Sequence, residues 1–190
     1  PHLYPLTVTL NDGRLIIDSY SLEVGIRTVA VRGDDLLLNN QPIKLTGFGK
    51  HEDFPVSGRG FNLPMWIRDY ELLKWVGANS YRCSHYPYAE EAMQLADRLG
   101  FLVINEIPAV GLNFEDPDEL TTKRLAQCQQ QVRELIARDK NHPSTIMWNV
   151  ANEPMGGAPL GGQSVPTAVE AGMRFFRQMY TEARRLDPTR

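Results

Sequence analysis

The sequence predicts an α/β chain: the first half of a (β/α)8 TIM barrel, preceded by the end of an immunoglobulin-like β-sandwich. Three observations carry that prediction. From Lys44 onward a short β-prone apolar run, a loop and an amphipathic stretch recur four times, the rhythm of a parallel sheet with helical crossovers. Before Lys44 the pattern is one of short β runs broken by turn residues. Each of the four later runs also ends in polar side chains, as expected where strand tips converge on one mouth.

Residues 1–35 are assigned to the sandwich. Leu6 to Leu10 alternates with Thr, Asn11-Asp12-Gly13 is a turn, and Leu22 to Val31 is extended again. A whole sandwich of this kind takes about seven strands, so this is the tail of one. Leu36-Leu37-Leu38, Asn39-Asn40 and Gln41-Pro42-Ile43 read as a hairpin with a two-residue turn, because Asn tolerates positive φ.

The barrel part is residues 36–190. Leu45 to Gly49 is its first strand and Met65 to Val76 its first helix, with Trp66, Tyr70, Leu73 and Val76 on one face. Ala78 to Ser84 is the second strand. The helix Tyr88 to Leu99 places Tyr88, Ala92, Leu95, Ala96 and Leu99 opposite Glu90, Glu91, Gln94 and Asp97. Phe101 to Asn105 is the third strand, followed after a loop by a helix from about Thr121 to Asp139, packed through Leu125, Val132, Leu135 and Ile136. Thr145 to Val150 is too short for a helix and reads as a buried parallel strand. A Gly/Pro loop, Met155 to Pro166, precedes a helix in which Val169, Met173, Phe176, Tyr180 and Ala183 recur at helical spacing.

A doubly wound sheet shares this rhythm. Gly47-Phe48-Gly49, however, lacks the later Gly of a dinucleotide-binding turn and opens no helix, which favours the barrel. A complete barrel takes about 250 residues, so four units make half of one, and Asp187-Pro188-Thr189-Arg190 leads toward a fifth strand.

Composition excludes several classes. The 190 residues carry a formal net charge of -3 and 42% hydrophobic residues, and basic runs interleaved with aromatics are missing, so no nucleic-acid partner is expected. No apolar run approaches about 18 residues, so no membrane partner is expected either. The chain opens on Pro1 without an apolar secretory segment, like a mature product or an excised piece. Cys83 on a strand and Cys128 on a helix are expected to stay unpaired, and the lack of an Asn-x-Ser/Thr sequon favours a cytoplasmic protein.

The polar tips are Lys50-His51-Glu52-Asp53, Ser84-His85-Tyr86-Pro87, Asn105-Glu106 and Asn152-Glu153-Pro154. Taken alone, Asn152-Glu153-Pro154 is as readily a solvated turn as a site; on one mouth with the other three, Glu153 becomes a candidate to exchange protons. His51 and His85 invite a metal reading beside Glu52, Asp53 and Glu106, but no pair has the spacing of His-Glu-x-x-His, so no metal is expected. The blander role for either histidine is a core residue bonded to a backbone carbonyl. Arg82 lies within a strand, where an unpaired guanidinium is costly to bury, so it should meet a carboxylate, catalytic or structural. Tyr86 and Trp148 suit a sugar-stacking platform or, for Trp148 especially, core packing. Glu90-Glu91 complements the dipole at a helix start.

Asn79-Ser80-Tyr81-Arg82-Cys83-Ser84-His85-Tyr86-Pro87, and the stretch from Asp139-Lys140-Asn141-His142-Pro143 through Trp148 to Asn152-Glu153-Pro154, resemble the two signatures of the family 2 glycoside hydrolases. The resemblance runs from Tyr20 to Arg190. Lys50-His51-Glu52-Asp53 and Gly77 to Glu91 look like the β-glucuronidase branch rather than the β-galactosidase branch, whose first-strand motif usually has further His residues.

The resemblance implies a retaining exo-glycosidase that hydrolyses β-D-glucuronides by double displacement, without a cofactor. Glu153 would be the general acid/base and Asn152 would bond the sugar 2-hydroxyl; His85, His51 and Asp53 would contact the sugar, and Arg82 would hold the nucleophilic glutamate. Such a mechanism needs an acid kept protonated by burial and a neighbouring charge, and a second carboxylate about 5 to 5.5 Å away. In the family that nucleophile and an Asn-x-Lys pair for the glucuronide carboxylate lie beyond Arg190, a sugar-binding-like domain precedes Pro1, and the parent enzyme is a homo-oligomer. Asn105 stands where the family often has Asp, and Asn149 where a small residue is usual. The short loop Gly111 to Leu120 leaves the mouth open to bulky aglycones. The alternatives are another family 2 enzyme such as a β-galactosidase, or a non-catalytic fragment that binds its complement or a sugar.

Overall fold

Apolar residues alternating with Thr fold into an antiparallel ribbon. The computed structural model describes residues 1–114, 118–154 and 166–190. Strand β1 (Tyr4–Asn11) pairs with β2 (Ile16–Val24), with Leu6 opposite Leu22 and Val8 opposite Tyr20 on an apolar face. On the other face the Thr7 and Ser21 hydroxyls share a 2.8 Å hydrogen bond. The extended run expected from Leu22 to Val31 is broken: β2 stops at Val24 and β3 (Val29–Arg32) begins a separate sheet with β4 (Asp35–Leu38) and β5 (Gln41–Pro42). Arg27 lies in the break, and its side chain donates to Pro143 O at 2.9 Å and Thr145 O at 2.5 Å, tying this segment to the start of the last barrel strand. Asn39 and Asn40 form the expected turn, with φ of 51° and 63°.

Four parallel strands follow in the order β6 (Gly47–Lys50), β9 (Ser80–Cys83), β10 (Leu102–Glu106) and β11 (Thr145–Asn149). Helices α1 (Leu63–Trp75), α2 (Glu90–Leu99), α3 (Asp118–Asp139) and α4 (Pro166–Leu186) succeed them in turn, so the half-barrel is observed. A short ribbon, β7 (Asp53–Phe54) against β8 (Gly58–Arg59), intervenes between β6 and α1. Its two-residue strands are too brief to leave a periodic signal. Gly47 allows β6 its close approach to β9, because a Cβ there would lie 1.8 Å from Ser80 O.

Asn62 caps α1, its Oδ1 accepting the Met65 N–H at 3.3 Å, and Pro64 sits in the first turn where a missing N–H does no harm. Trp66, Tyr70 and Leu73 are buried as expected, whereas Val76 lies past the helix end and is exposed. On α2 the expected polar face is wrong at Asp97, which is 6% exposed. Its carboxylate accepts from His142 Nδ1 at 2.6 Å and from the Ser144 N–H at 3.0 Å, tying α2 to the start of β11.

On α4 the inward stripe is Ala168, Ala171, Phe175 and Met179, while Val169, Met173 and Tyr180 are exposed. Two apolar stripes lie side by side on this helix, and periodicity does not choose between them. One core cluster joins β9 and β10 to α1 and α2 and contains Cys83; the other joins α3 to α4 and contains Cys128, so the two thiols are apart and unpaired. Most of the loop Met155 to Pro166 and the middle of the loop Gly111 to Leu120 lie outside the described residues. Among the described residues no helix is long and apolar enough to cross a membrane.

Candidate active site

Strand alternation decides which side chains face the mouth. The registers Gly49 to Arg82, Arg82 to Ile104, and Glu106 to Asn149 set these residues on the inner face. Tyr81, Cys83 and Val103 face the other way, into the helices. Asn105 shares that outer side, and its Nδ2 donates to Asp139 Oδ2 at 2.6 Å. The departure at Asn105 therefore lies behind the strand, outside the mouth.

Glu106 is the hub, and it has no exposed surface. Its Oε1 lies 2.7 Å from His85 Nδ1, and its Oε2 accepts from Asn149 Nδ2 at 2.5 Å and pairs with Arg82 Nε at 3.2 Å. Three donors offset the desolvation of this carboxylate, which suits it to hold others rather than to attack. Arg82 does meet a carboxylate, then, and it is this one. Its Nη2 also donates to Asn152 Oδ1 at 3.0 Å. With that oxygen engaged, the Asn152 amide N–H2 is the group left to offer a ligand.

Asn152 is also pinned through its main chain. Its N–H donates to Ala109 O at 2.8 Å and its carbonyl accepts the Gly111 N–H at 3.0 Å, so the exit of β10 braces the exit of β11. Glu153 follows with φ of 46° and an exposed side chain. A non-glycine residue in that region is uncommon, and such backbone strain clusters at functional sites. The burial expected of a general acid is not provided by the described residues.

His51 sets its ring edge-on to His85 at 5.4 Å between centroids, and lies 6.1 Å from the Tyr86 ring. The Arg59 guanidinium stacks 4.1 Å above that tyrosine. Burial pushes the Tyr86 phenol up, against the Glu52 N–H and the Arg59 cation, which favour its ionised form. Asp53 is exposed on β7 and its side chain makes no hydrogen bond to the other candidates among the described residues. Glu52 is buried away from the mouth, accepting from Trp66 Nε1 and from the Ala89 N–H, each at 3.0 Å. Lys50 pairs with Asp69 at 2.8 Å and lies 4.0 Å from the Trp66 ring. Trp148 donates to Asp187 Oδ2 at 3.0 Å and packs on the second core cluster, so it is a core residue.

Arg82, His85 and Asn152 thus come together, His51 joins through His85, Glu153 stands at the rim, and Asp53 is not linked to them. Sequence reasoning named Glu106 only as a polar strand tip and Asn149 only as a departure from the family pattern, and assigned neither a role in the site. The signal was parity: Arg82 facing inward on β9 places Ile104, and hence Glu106, inward on β10. Among the described residues no group of three His, Cys, Asp or Glu side chains is disposed to hold a metal ion. The constellation offers fixed donors and acceptors for neighbouring hydroxyls beside one exposed carboxyl group.

Comparison with known proteins agrees with this picture. Over its whole length the chain is 47% identical to a β-glucuronidase of Paenibacillus borealis and 43% identical to one of Rattus norvegicus, covering 31% and 27% of those proteins. A β-glucuronidase from Ruminococcus gnavus, solved in complex with uronic deoxynojirimycin, superposes on 97% of the chain with a TM-score of 0.85 at 42% identity, over 30% of its own length. The chain thus spans under a third of the relatives it matches. The model of the glycosyl hydrolases family 2 TIM barrel domain matches residues 29–190, and the chain belongs to that family.

Proposed function

We propose that the chain is the central part of a retaining β-glucuronidase. Residues 1–35 end an immunoglobulin-like domain, and residues 36–190 form the first half of the catalytic barrel. Glu153 is the general acid/base, protonating the departing oxygen and later deprotonating water. Asn152 donates to the sugar 2-hydroxyl, His85 and His51 line the sugar, and the nucleophilic glutamate and the groups that recognise the carboxylate lie outside this chain. The observation that carries the reading is Asn152, held by Arg82 and by the exit of β10, immediately before a strained and exposed Glu153. Whole-chain likeness to proteins named β-glucuronidase supports the substrate class. The parent enzyme assembles from copies of itself and works in the cytoplasm, a placement supported by two buried, unpaired cysteines.

The test is hydrolysis of an aryl β-glucuronide and an aryl β-galactoside by the full-length protein, beside Glu153→Gln. Preference for the glucuronide, lowered about 10²- to 10⁴-fold in the variant, is the expected result. Galactoside preference overturns the substrate, and activity untouched by the variant overturns the acid.

A further inference from the structure

We propose that Glu106 is a positioning residue that makes His85 a hydrogen-bond acceptor toward the sugar: it takes the proton of Nδ1 and leaves Nε2 to receive one substrate hydroxyl. This rests on the glycosidase reading above and adds to it the polarity of one contact and the residue that sets it.

His85 Nδ1 lies 2.7 Å from Glu106 Oε1. An ionised carboxylate only accepts, so at that distance Nδ1 carries the hydrogen. The alternative donor to Nδ1, Arg82 Nη2, is 3.4 Å away and already donates to Asn152 Oδ1 at 3.0 Å. An Nδ1 lone pair would thus face a carboxylate oxygen in return for one long contact. The neutral imidazole is therefore the Nδ1–H tautomer, and Nε2 accepts. Asn152, offering N–H2, and His85, offering a lone pair, then read sugar hydroxyls with opposite polarity.

Glu106 is built to keep this role. Its main-chain N–H donates to Asn105 Oδ1 at 3.0 Å, and Asn105 Nδ2 donates to Asp139 Oδ2 at 2.6 Å. Arg138 clamps both oxygens of Asp139, at 2.6 and 2.7 Å, and donates to Tyr88 O at 2.8 Å. The strand end that carries Glu106 is thus bolted to the last turn of α3 and to the segment before α2. On the mouth side Oε2 is filled by Arg82 and Asn149, which leaves Oε1 to His85.

Glu106→Gln converts this into a prediction of reversed polarity. The Gln carbonyl stays with the two donors Arg82 and Asn149, and its N–H2 turns to His85. His85 then accepts at Nδ1 and carries its hydrogen on Nε2, becoming a donor toward the sugar. Fluorine in place of a hydroxyl accepts weakly and does not donate, so it distinguishes the two states.

The experiment measures inhibition of the full-length protein by phenyl thio-β-glycosides, unmodified and as 2-, 3- and 4-deoxy and fluoro derivatives, built on whichever hexose the wild-type protein hydrolyses. A wrong substrate assignment is thereby read in the preceding assay and leaves this test intact. The position read by His85 is the one whose penalty disappears in His85→Ala. At that position the wild-type protein should lose about 3- to 10-fold on deoxygenation, with no recovery from fluorine. In Glu106→Gln the fluoro compound should bind better than the deoxy compound, with the other positions unchanged. Fluorine retained by the wild-type protein, as an imidazolium donating from Nε2 would give, overturns the proposal. Equal weakening at every position in Glu106→Gln also overturns it, since that marks a structural role. The wild-type comparison decides the polarity even where the variant does not fold.

Discussion

Trp66 donates its indole N–H to Glu52 across 3.0 Å, in a site almost closed to water, while the other oxygen of Glu52 takes the Ala89 N–H at the start of α2. A residue at the exit of the first barrel strand thus caps a helix beyond the second, where a negative charge complements the helix dipole. Glu52→Ala strands two buried donors and should lower stability by about 2 to 4 kcal/mol in urea denaturation. A change within about 0.5 kcal/mol, as for an ordinary surface site, would contradict this role.

Arg82 serves Glu106 through Nε and Asn152 through Nη2, a division that depends on the planar fork of a guanidinium. Lysine keeps the charge and loses the fork. Arg82→Lys should lower kcat/KM by about 10- to 100-fold, in line with about 1.5 to 3 kcal/mol for a hydrogen bond to a charged group. Steady-state kinetics on the aryl glycoside checks it, and an unchanged kcat/KM would show that charge alone suffices.

His142 titrates in a way that stability should report. Burial disfavours its charged form, but the Asp97 carboxylate outweighs burial and raises its pKa above the usual histidine value of 6.5. The protonated pair therefore stabilises the fold fully below about pH 6.5, and that contribution is lost as pH rises through the raised folded value. Denaturation midpoints of wild type and Asp97→Asn, compared at about pH 6 and about pH 9, should differ more at the lower pH. A gap that widens toward alkaline pH would refute the sign.

Gly47 is constrained by its neighbour across the sheet. A Cβ would meet Ser80 O at 1.8 Å, and a main-chain atom of an adjoining strand yields little. Gly47→Ala should separate β6 from β9 and destabilise the protein by more than about 3 kcal/mol, beyond the usual range of single substitutions. Gly13, where an added Cβ meets nothing within 4 Å, provides a comparison: Gly13→Ala should lose only about 1 kcal/mol from its φ of 90°. Thermal melts of the two variants side by side settle the contrast.

Much of the fold was legible from neighbours along the chain. The Asn39-Asn40 turn, the apolar core of β10 and the Trp66, Tyr70, Leu73 face of α1 follow from backbone preference and periodicity, which act over a few residues. Glu153, Asn152 and His85 were legible as candidates because strand ends in a βα rhythm share one side of the sheet, and Arg82 because a guanidinium within a strand is costly to bury unpaired.

The rest depended on distant pairs. Asp97 looked like a solvent-facing residue until His142, from the other side of α3, supplied its partner. The two stripes of α4 are equivalent in sequence, and packing against α3 selected Phe175 and Met179. Glu106 stood out in sequence only as one polar strand tip among four, without a role; its importance lies in Arg82, His85 and Asn149, contributed by two other strands and their exits. By itself the sequence determined the order of the elements, the turns and the side of the sheet where polar tips gather, because these follow from local conformational preference. Only the tertiary structure decided which carboxylate is buried, which amide is turned outward and which helix face is covered, because desolvation and hydrogen-bond pairing depend on residues far apart along the chain.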